Sequence, residues 1–321
     1  MERFEGRTAV VTGGGSGMGR ELVRQLAKAG CNVAMCDVSV DGMAGTAELC
    51  AEESPDRLIT SFVADVSDEQ QILAFRDATA RDQATDHIHL LFNNAGIGGG
   101  GSFVADDRSE WDKTFAVCWG GVYNCTRAFM PMLLAADEGH LVNTSSVNGF
   151  WASLGPTIPH TAYSAAKFAV KGFTEALQND FRINAPHLRA SVVMPGHIGT
   201  AIAINSSKLH GRDPKELTTE QLATLRERLS RSGLDVGAAS DEDLRQGMQQ
   251  QGENFRDQAP VTAAEAATII LDCVRRNEWR ILVGDDAVLL DEMVRAAPTD
   301  AYEPNFMDRV RARGAFGFSE N

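Results

Sequence analysis

Short apolar runs alternate with longer helical patterns from the start of the chain to about residue 200, and this alternation limits the fold more than any other feature. Thr8 to Thr12 (TAVVT) is continuously β-prone and apolar, as expected of a strand buried on both faces. A helical pattern over 18–29 follows, with Gly30 as its stop. Further strands are expected at 32–37, 58–63, 89–93, 139–144 and 189–194, with a last one at 280–283. Helical segments fall between them. Such alternation implies an α/β fold, a doubly wound parallel sheet with helices on both faces.

The rest of the composition fits one large domain. The chain has 321 residues, 43% of them hydrophobic, enough to bury a sizeable core. Its net charge of −14 argues against a nucleic-acid or anionic-lipid partner. No apolar run approaches the roughly 20 residues of a membrane helix, and the first residues carry no apolar signal core, so the expected location is cytoplasmic. The six cysteines are scattered without a metal-type CxxC pair. They read as reduced, packing side chains, and no metal is expected.

The pattern changes after Thr200. Residues 201–260 are rich in charge and Gln, show no convincing strand, and include an expected amphipathic helix over 214–229. A segment this long is expected to be a lid or binding loop, with a disordered linker as the alternative. The tail, 297–321, is poorly patterned.

The first strand runs into Gly13-Gly-Gly-Ser16-Gly17-Met18-Gly19 and then a helix. Glycines let a backbone turn tightly and approach a pyrophosphate, whose charge faces the helix N-terminus. A glycine cluster alone is weak evidence, but a strand before it and a helix after it strengthen the reading. Asp37 ends the second strand, 18 residues past Gly19. An acidic side chain there can bond both adenosine ribose hydroxyls and repel a 2′-phosphate, which selects NAD over NADP. A solvated turn aspartate is the alternative. No Arg or Lys lies within the glycine loop or just after Asp37 to offset that repulsion.

Tyr163-Ser-Ala-Ala-Lys167 opens another helical pattern. A spacing of four places phenol and ammonium on one face, one turn apart. A nearby cation lowers a tyrosine pKa from near 10 toward neutrality, as an acid/base catalyst needs.

The order TGxxxGxG (Thr12 to Gly19), NNAG (Asn93 to Gly96), NTSS (Asn143 to Ser146), YxxxK (Tyr163 to Lys167) and PG (Pro195-Gly196) resembles the short-chain dehydrogenase/reductase family. The resemblance is close over about 5–200 and looser over 260–290. It implies a single Rossmann-type domain over 1–321 with about seven parallel strands. It implies that Gly13, Ser16, Gly17, Met18 and Gly19 line the pyrophosphate. Asp65 and Val66 would meet the adenine, and Asn93, Ala95 and Gly96 would support the sheet beside the cofactor. Pro195, Gly196, Ile198 and Thr200 would line the nicotinamide. Tyr163 would be the acid/base, Lys167 would bond the ribose and lower the tyrosine pKa, and Ser146, preferred to Ser145, would hold the substrate oxygen. Helices at about 109–134 and 161–183 would pair subunits into a homodimer or homotetramer.

Two departures stand out. Cys118 occupies a position where the family usually has asparagine, whose main-chain carbonyl holds a proton-relay water. A packing cysteine is the expected reading, and Asn124 is too far round the helix to substitute. The loop from Ser146 to Tyr163 is longer than the family norm. Phe150, Trp151, Leu154 and Ile158 make it apolar, and His160 lies close to the tyrosine. Phe150, Trp151 and His160 are the expected substrate residues, forming a wall for a greasy substrate; ordinary packing is the alternative. His197 receives no role. The function expected is NAD-dependent interconversion of a hydrophobic secondary alcohol and its ketone. A non-catalytic dinucleotide-binding regulator and an epimerase or dehydratase on the same fold are the alternatives.

Overall fold

The protein's computed structural model describes residues 1–156, 158–231 and 233–314. Its first six strands are β1 (Thr8–Thr12), β2 (Asn32–Asp37), β3 (Ile59–Val63), β4 (Leu90–Asn93), β5 (Gly139–Thr144) and β6 (Leu188–Pro195). A two-residue pair, β7 (Ile198–Gly199) and β8 (Val261–Thr262), lies outside the main sheet, and β9 (Arg280–Val283) returns to it. The main sheet is parallel throughout, in the order β3-β2-β1-β4-β5-β6-β9. The chain thus follows the Rossmann-type plan, with its order reversing between β1 and β4, where such sheets open a ligand crevice.

Helices α1 (Gly17–Lys28), α2 (Val40–Glu53), α3 (Glu69–Asp82), α4 (Arg108–Phe115), α5 (Gly121–Leu134) and α6 (Thr161–Asn184) precede Thr200. Beyond it come α7 (Ile202–Leu209), α8 (Thr219–Arg231), α9 (Asp241–Asp257), α10 (Ala263–Arg275), α11 (Asp285–Ala296) and α12 (Phe306–Ala312). Alternation along β1 feeds two cores. Ala9 and Val11 pack with Leu22, Leu26 and Ile270 on one face of the sheet. Val10 packs with Phe75, Leu91 and Phe129 on the other. Each such fully buried valine, leucine or phenylalanine contributes about 1.5–3 kcal/mol of burial free energy. The stop at Gly30 takes a left-handed φ of 92°, and the Cys31 N–H closes on the Leu26 carbonyl at 3.0 Å.

A buried amide chain fixes the middle of the sheet. Asn93 donates to Thr126 Oγ1 at 2.9 Å and to Asn143 Oδ1 at 2.8 Å, and Asn143 donates to Thr174 Oγ1 at 2.9 Å. Two strands and two helices are thereby held in one register. The helix expected over 109–134 is interrupted: α4 and α5 are joined by a π-helical turn, Ala116–Gly120. Wide turns of this kind recur at functional sites.

The segment after Thr200 is helical. The single helix expected over 214–229 is corrected to a short 3-10 turn, Pro214–Glu216, followed by α8. Leu217 breaks it by turning extended (ψ 128°) into a small core with Leu222 and Leu244, and Thr218 and Gln221 then cap α8 reciprocally. Ion pairs Arg212–Glu110 (2.9 Å) and Arg228–Asp106 (3.1 Å) fasten this segment to the body. In the tail, α12 packs through Phe306, Met307 and Val310 against α11. No helix among the described residues is long and apolar enough to cross a membrane.

Candidate active site

The glycine turn after β1 is shaped by contacts that leave no space for a side chain. A Cβ at Gly19 would lie 1.9 Å from the Gly13 carbonyl oxygen, and one at Gly14 would lie 2.7 Å from Met35 Cβ. Gly13 and Gly17 hold left-handed φ values of 71° and 52°. Ser16, before α1, makes no side-chain cap, so the first-turn N–H groups of Gly17, Met18 and Gly19 receive nothing from it. That uncapped helix end on a tight glycine turn suits a pyrophosphate. Gly19→Ala should cost about 1–3 kcal/mol of stability through overpacking, read as a lower Tm.

Neighbouring segments converge on this turn. Thr12 Oγ1 accepts from the Asn94 and Ala95 N–H groups at 3.0 Å each, tying the NNAG segment to β1. Across the groove a Cβ at Gly17 would touch Thr200 at 3.2 Å. At the end of β2, Asp37 accepts from the Gly15 N–H through Oδ2 and from the Ser39 N–H through Oδ1, each at 2.9 Å. Each oxygen keeps capacity for a further hydrogen bond. Arg20, immediately after the loop, donates to the Gly15 and Gly42 carbonyls and to Thr46 Oγ1. Asp65 Oδ1 accepts from the Ser67 N–H and hydroxyl, while Val66 packs against Gly121 of α5.

Opposite this groove, Ser146, Tyr163 and Lys167 come together. Ser145 donates its hydroxyl to the Lys167 carbonyl at 2.8 Å, which leaves Ser146 as the serine that interacts with the tyrosine. Lys167 Nζ lies 5.4 Å from the centre of the Tyr163 ring and donates to the Thr144 carbonyl at 2.8 Å. Gly96 lies beside this pair, its Cβ position 3.5 Å from Lys167 Nζ and 3.7 Å from Cys118 Sγ. The expected lowering of the tyrosine pKa is corrected. Burial pushes the Tyr163 phenol well above its ordinary value, the Cys118 sulfur adds to this, and Ser146 opposes it. Burial also pushes Lys167 down, with Cys118 opposing.

Cys118 is fully buried in the π-helical turn, with its thiol directed to the Ile97 carbonyl at 3.1 Å. Asn124 points elsewhere, donating to the Val66 and Ser67 carbonyls. Part of the expected apolar wall has packing partners elsewhere. Phe150 and Trp151 pack with Leu290, Phe306 and Val310, and the Trp151 indole donates to the Ala301 carbonyl at 2.7 Å. Leu154 and Ile158 are exposed. His160 does adjoin the site, its ring 4.8 Å from that of Tyr163.

The sequence reading missed Asp286. Its buried carboxylate accepts from the His197 N–H at 2.7 Å and lies against Gly196, where a Cβ would meet it at 2.2 Å. The His197 ring bonds the Phe255 carbonyl at 2.7 Å, so the turn after Pro195 is held from both sides. An aspartate in a helix's first turn ordinarily reads as a dipole partner, so no sequence signal marks it.

The model of the short chain dehydrogenase family matches residues 7–210. SadH of Mycobacterium tuberculosis is 38% identical over 217 residues, covering 66% of this chain and 74% of its own. A short-chain dehydrogenase/reductase from Burkholderia phymatum, solved with NAD, superposes with a TM-score of 0.72 at 27% identity, covering 92% of this chain and 96% of its own. A metagenomic short-chain oxidoreductase solved with NADP gives 0.53 at 31% identity, covering 60% of this chain and 83% of its own. With nearly two thirds of its length matched to that family model, on a sheet and a glycine turn of the matching kind, the chain belongs to the short-chain dehydrogenase family of oxidoreductases.

Proposed function

We propose that the protein is an NAD-dependent oxidoreductase that interconverts a hydrophobic secondary alcohol and its ketone. The observation that carries this reading is the meeting of Ser146, Tyr163 and Lys167 beside Gly96, with the ammonium 5.4 Å from the phenol ring. A binder without turnover has no use for that convergence. The buried Cys118, bonded to a main-chain carbonyl, acts as a packing side chain and gives the regulator reading no support.

In this reading Gly13 to Gly19 hold the pyrophosphate and Asp37 the adenosine ribose. Asp65 and Val66 flank the adenine, and Pro195, Gly196, Ile198 and Thr200 line the nicotinamide side. The bound cofactor supplies hydride acceptance and return. Tyr163 takes the hydroxyl proton in oxidation and returns it in reduction. Ser146 and Tyr163 together hold the oxygen whose charge changes, which stabilises the transition state. Lys167, its ammonium 5.4 Å from the phenol ring, favours the phenolate against the upward push of burial. Residues 201–260 act as the substrate lid, a role supported by the length of the segment and by the bonds of Ser206 and His210 to the main chain of Gly98, two residues from Gly96.

NAD preference is supported by Asp37, which makes no ion pair among the described residues. Arg20, the nearest basic residue in sequence, is engaged with main-chain carbonyls and Thr46. Subunits pair through α5 and α6, where Tyr123 and Phe168 are exposed. Incubating the protein with NAD or NADP and a panel of secondary alcohols tests the reading. Reduced NAD should appear with a cyclic or branched alcohol, and ketone should form in equal amount. Formation of an epimer or a dehydrated product without net cofactor reduction would contradict it.

A further inference from the structure

His160 stands three residues before Tyr163, on the same side of the entry to α6. The two rings are tilted by 36° with centroids 4.8 Å apart. Burial pushes the imidazole down to about 4, so at neutral pH the ring is uncharged and presents one N–H donor and one nitrogen acceptor. Among the described residues neither nitrogen has a hydrogen-bond partner, and neither is sealed from solvent. A neutral ring whose nitrogens carry no protein partner and remain open keeps both free for a molecule lying against Tyr163. Phe150 and Trp151 face the C-terminal segment, so of the three expected substrate residues only His160 touches the tyrosine. Two rings this close, one ending in a hydroxyl and one carrying two nitrogens, can bond different oxygens of one small molecule.

We propose that His160 determines specificity by hydrogen-bonding a second oxygen of the substrate, one or two carbons from the carbon that reacts. The substrate class is then a hydrophobic diol, hydroxy ketone or dicarbonyl rather than a simple secondary alcohol. This rests on the reading that Tyr163 handles the reacting oxygen. A neutral imidazole serves either form: its N–H donates to a carbonyl, and its bare nitrogen accepts from a hydroxyl. A site built to bond a polar group discriminates against the analogue lacking it, because its own group is then left unpaired.

The test compares cyclic alcohols with their vicinal diols, using NAD, in the wild type, His160→Phe and His160→Asn. The wild type should favour the diols in kcat/KM by about tenfold or more, the worth of one hydrogen bond. His160→Phe keeps a ring against Tyr163 and should erase that ratio, chiefly through a higher KM for the diols. His160→Asn keeps a donor and an acceptor and should recover part of it. A ratio unchanged in His160→Phe, or both substrate types falling equally, would overturn the inference. Wild-type turnover without any preference for diols would overturn it while leaving the proposed function standing. No turnover of any member of the panel would remove both.

Discussion

Tyr163→Phe is expected to lower kcat for alcohol oxidation by about a thousandfold, within the 10²–10⁴ range that general acid–base catalysis supplies. Cofactor affinity should stay within a few-fold. The substitution removes one oxygen and leaves the ring, so packing against His160 and the helical geometry of α6 persist. Ser145 stays bonded to the Lys167 carbonyl, and Lys167 Nζ to the Thr144 carbonyl, since neither bond involves the phenol. The loss should therefore appear in the chemical step and spare folding. Thermal melting and cofactor titration of the same preparation separate these contributions. Retained oxidation in the variant would assign the proton to another group.

The second large effect is expected at Asp37. Two like charges about 4 Å apart repel by roughly 1 kcal/mol in water and about 4 kcal/mol at an effective dielectric of 20. A 2′-phosphate brings up to two such charges, so Asp37→Asn should shift the NADP-to-NAD ratio of kcat/KM toward NADP by about a hundredfold. Asparagine has a single acceptor oxygen, so one of the bonds from Gly15 and Ser39 is also lost. Affinity for NAD itself should fall several-fold. A ratio that does not move would show that the adenosine ribose is read elsewhere, with Arg20 the nearest basic candidate.

Parts of this architecture are legible in the sequence because their cause is local. Continuous apolar runs make the central strands, because the middle of a parallel sheet is dry on both faces. The stop at Gly30 needs a left-handed residue, and glycine advertises it. The Tyr163–Lys167 spacing is helical, so the ammonium falls beside the ring. What escapes the sequence depends on distant partners. Phe150 and Trp151 have the composition of a pocket wall, yet a carbonyl 150 residues away claims the indole. Whether an aromatic loop packs inward or faces a ligand is not written in the loop. Likewise, spacing brings phenol and ammonium together but carries no information about dehydration. Burial moves Tyr163 up and Lys167 down, against the simple pairing argument. The π-helical turn around Cys118 and the clamp of Asp286 on His197 arise from packing across elements, and no short motif announces either.

The most direct check is the pH dependence of single-turnover alcohol oxidation in the wild type and in Lys167→Met. If the phenol is the base, its deprotonated form does the work, so the rate should rise with pH through one apparent pKa. Removing the ammonium withdraws a charge that favours phenolate, so that limb should move to higher pH in Lys167→Met. A wild-type rate indifferent to pH, or a limb that stays in place without the lysine, would contradict the assignment of Tyr163 and Lys167 as a working pair.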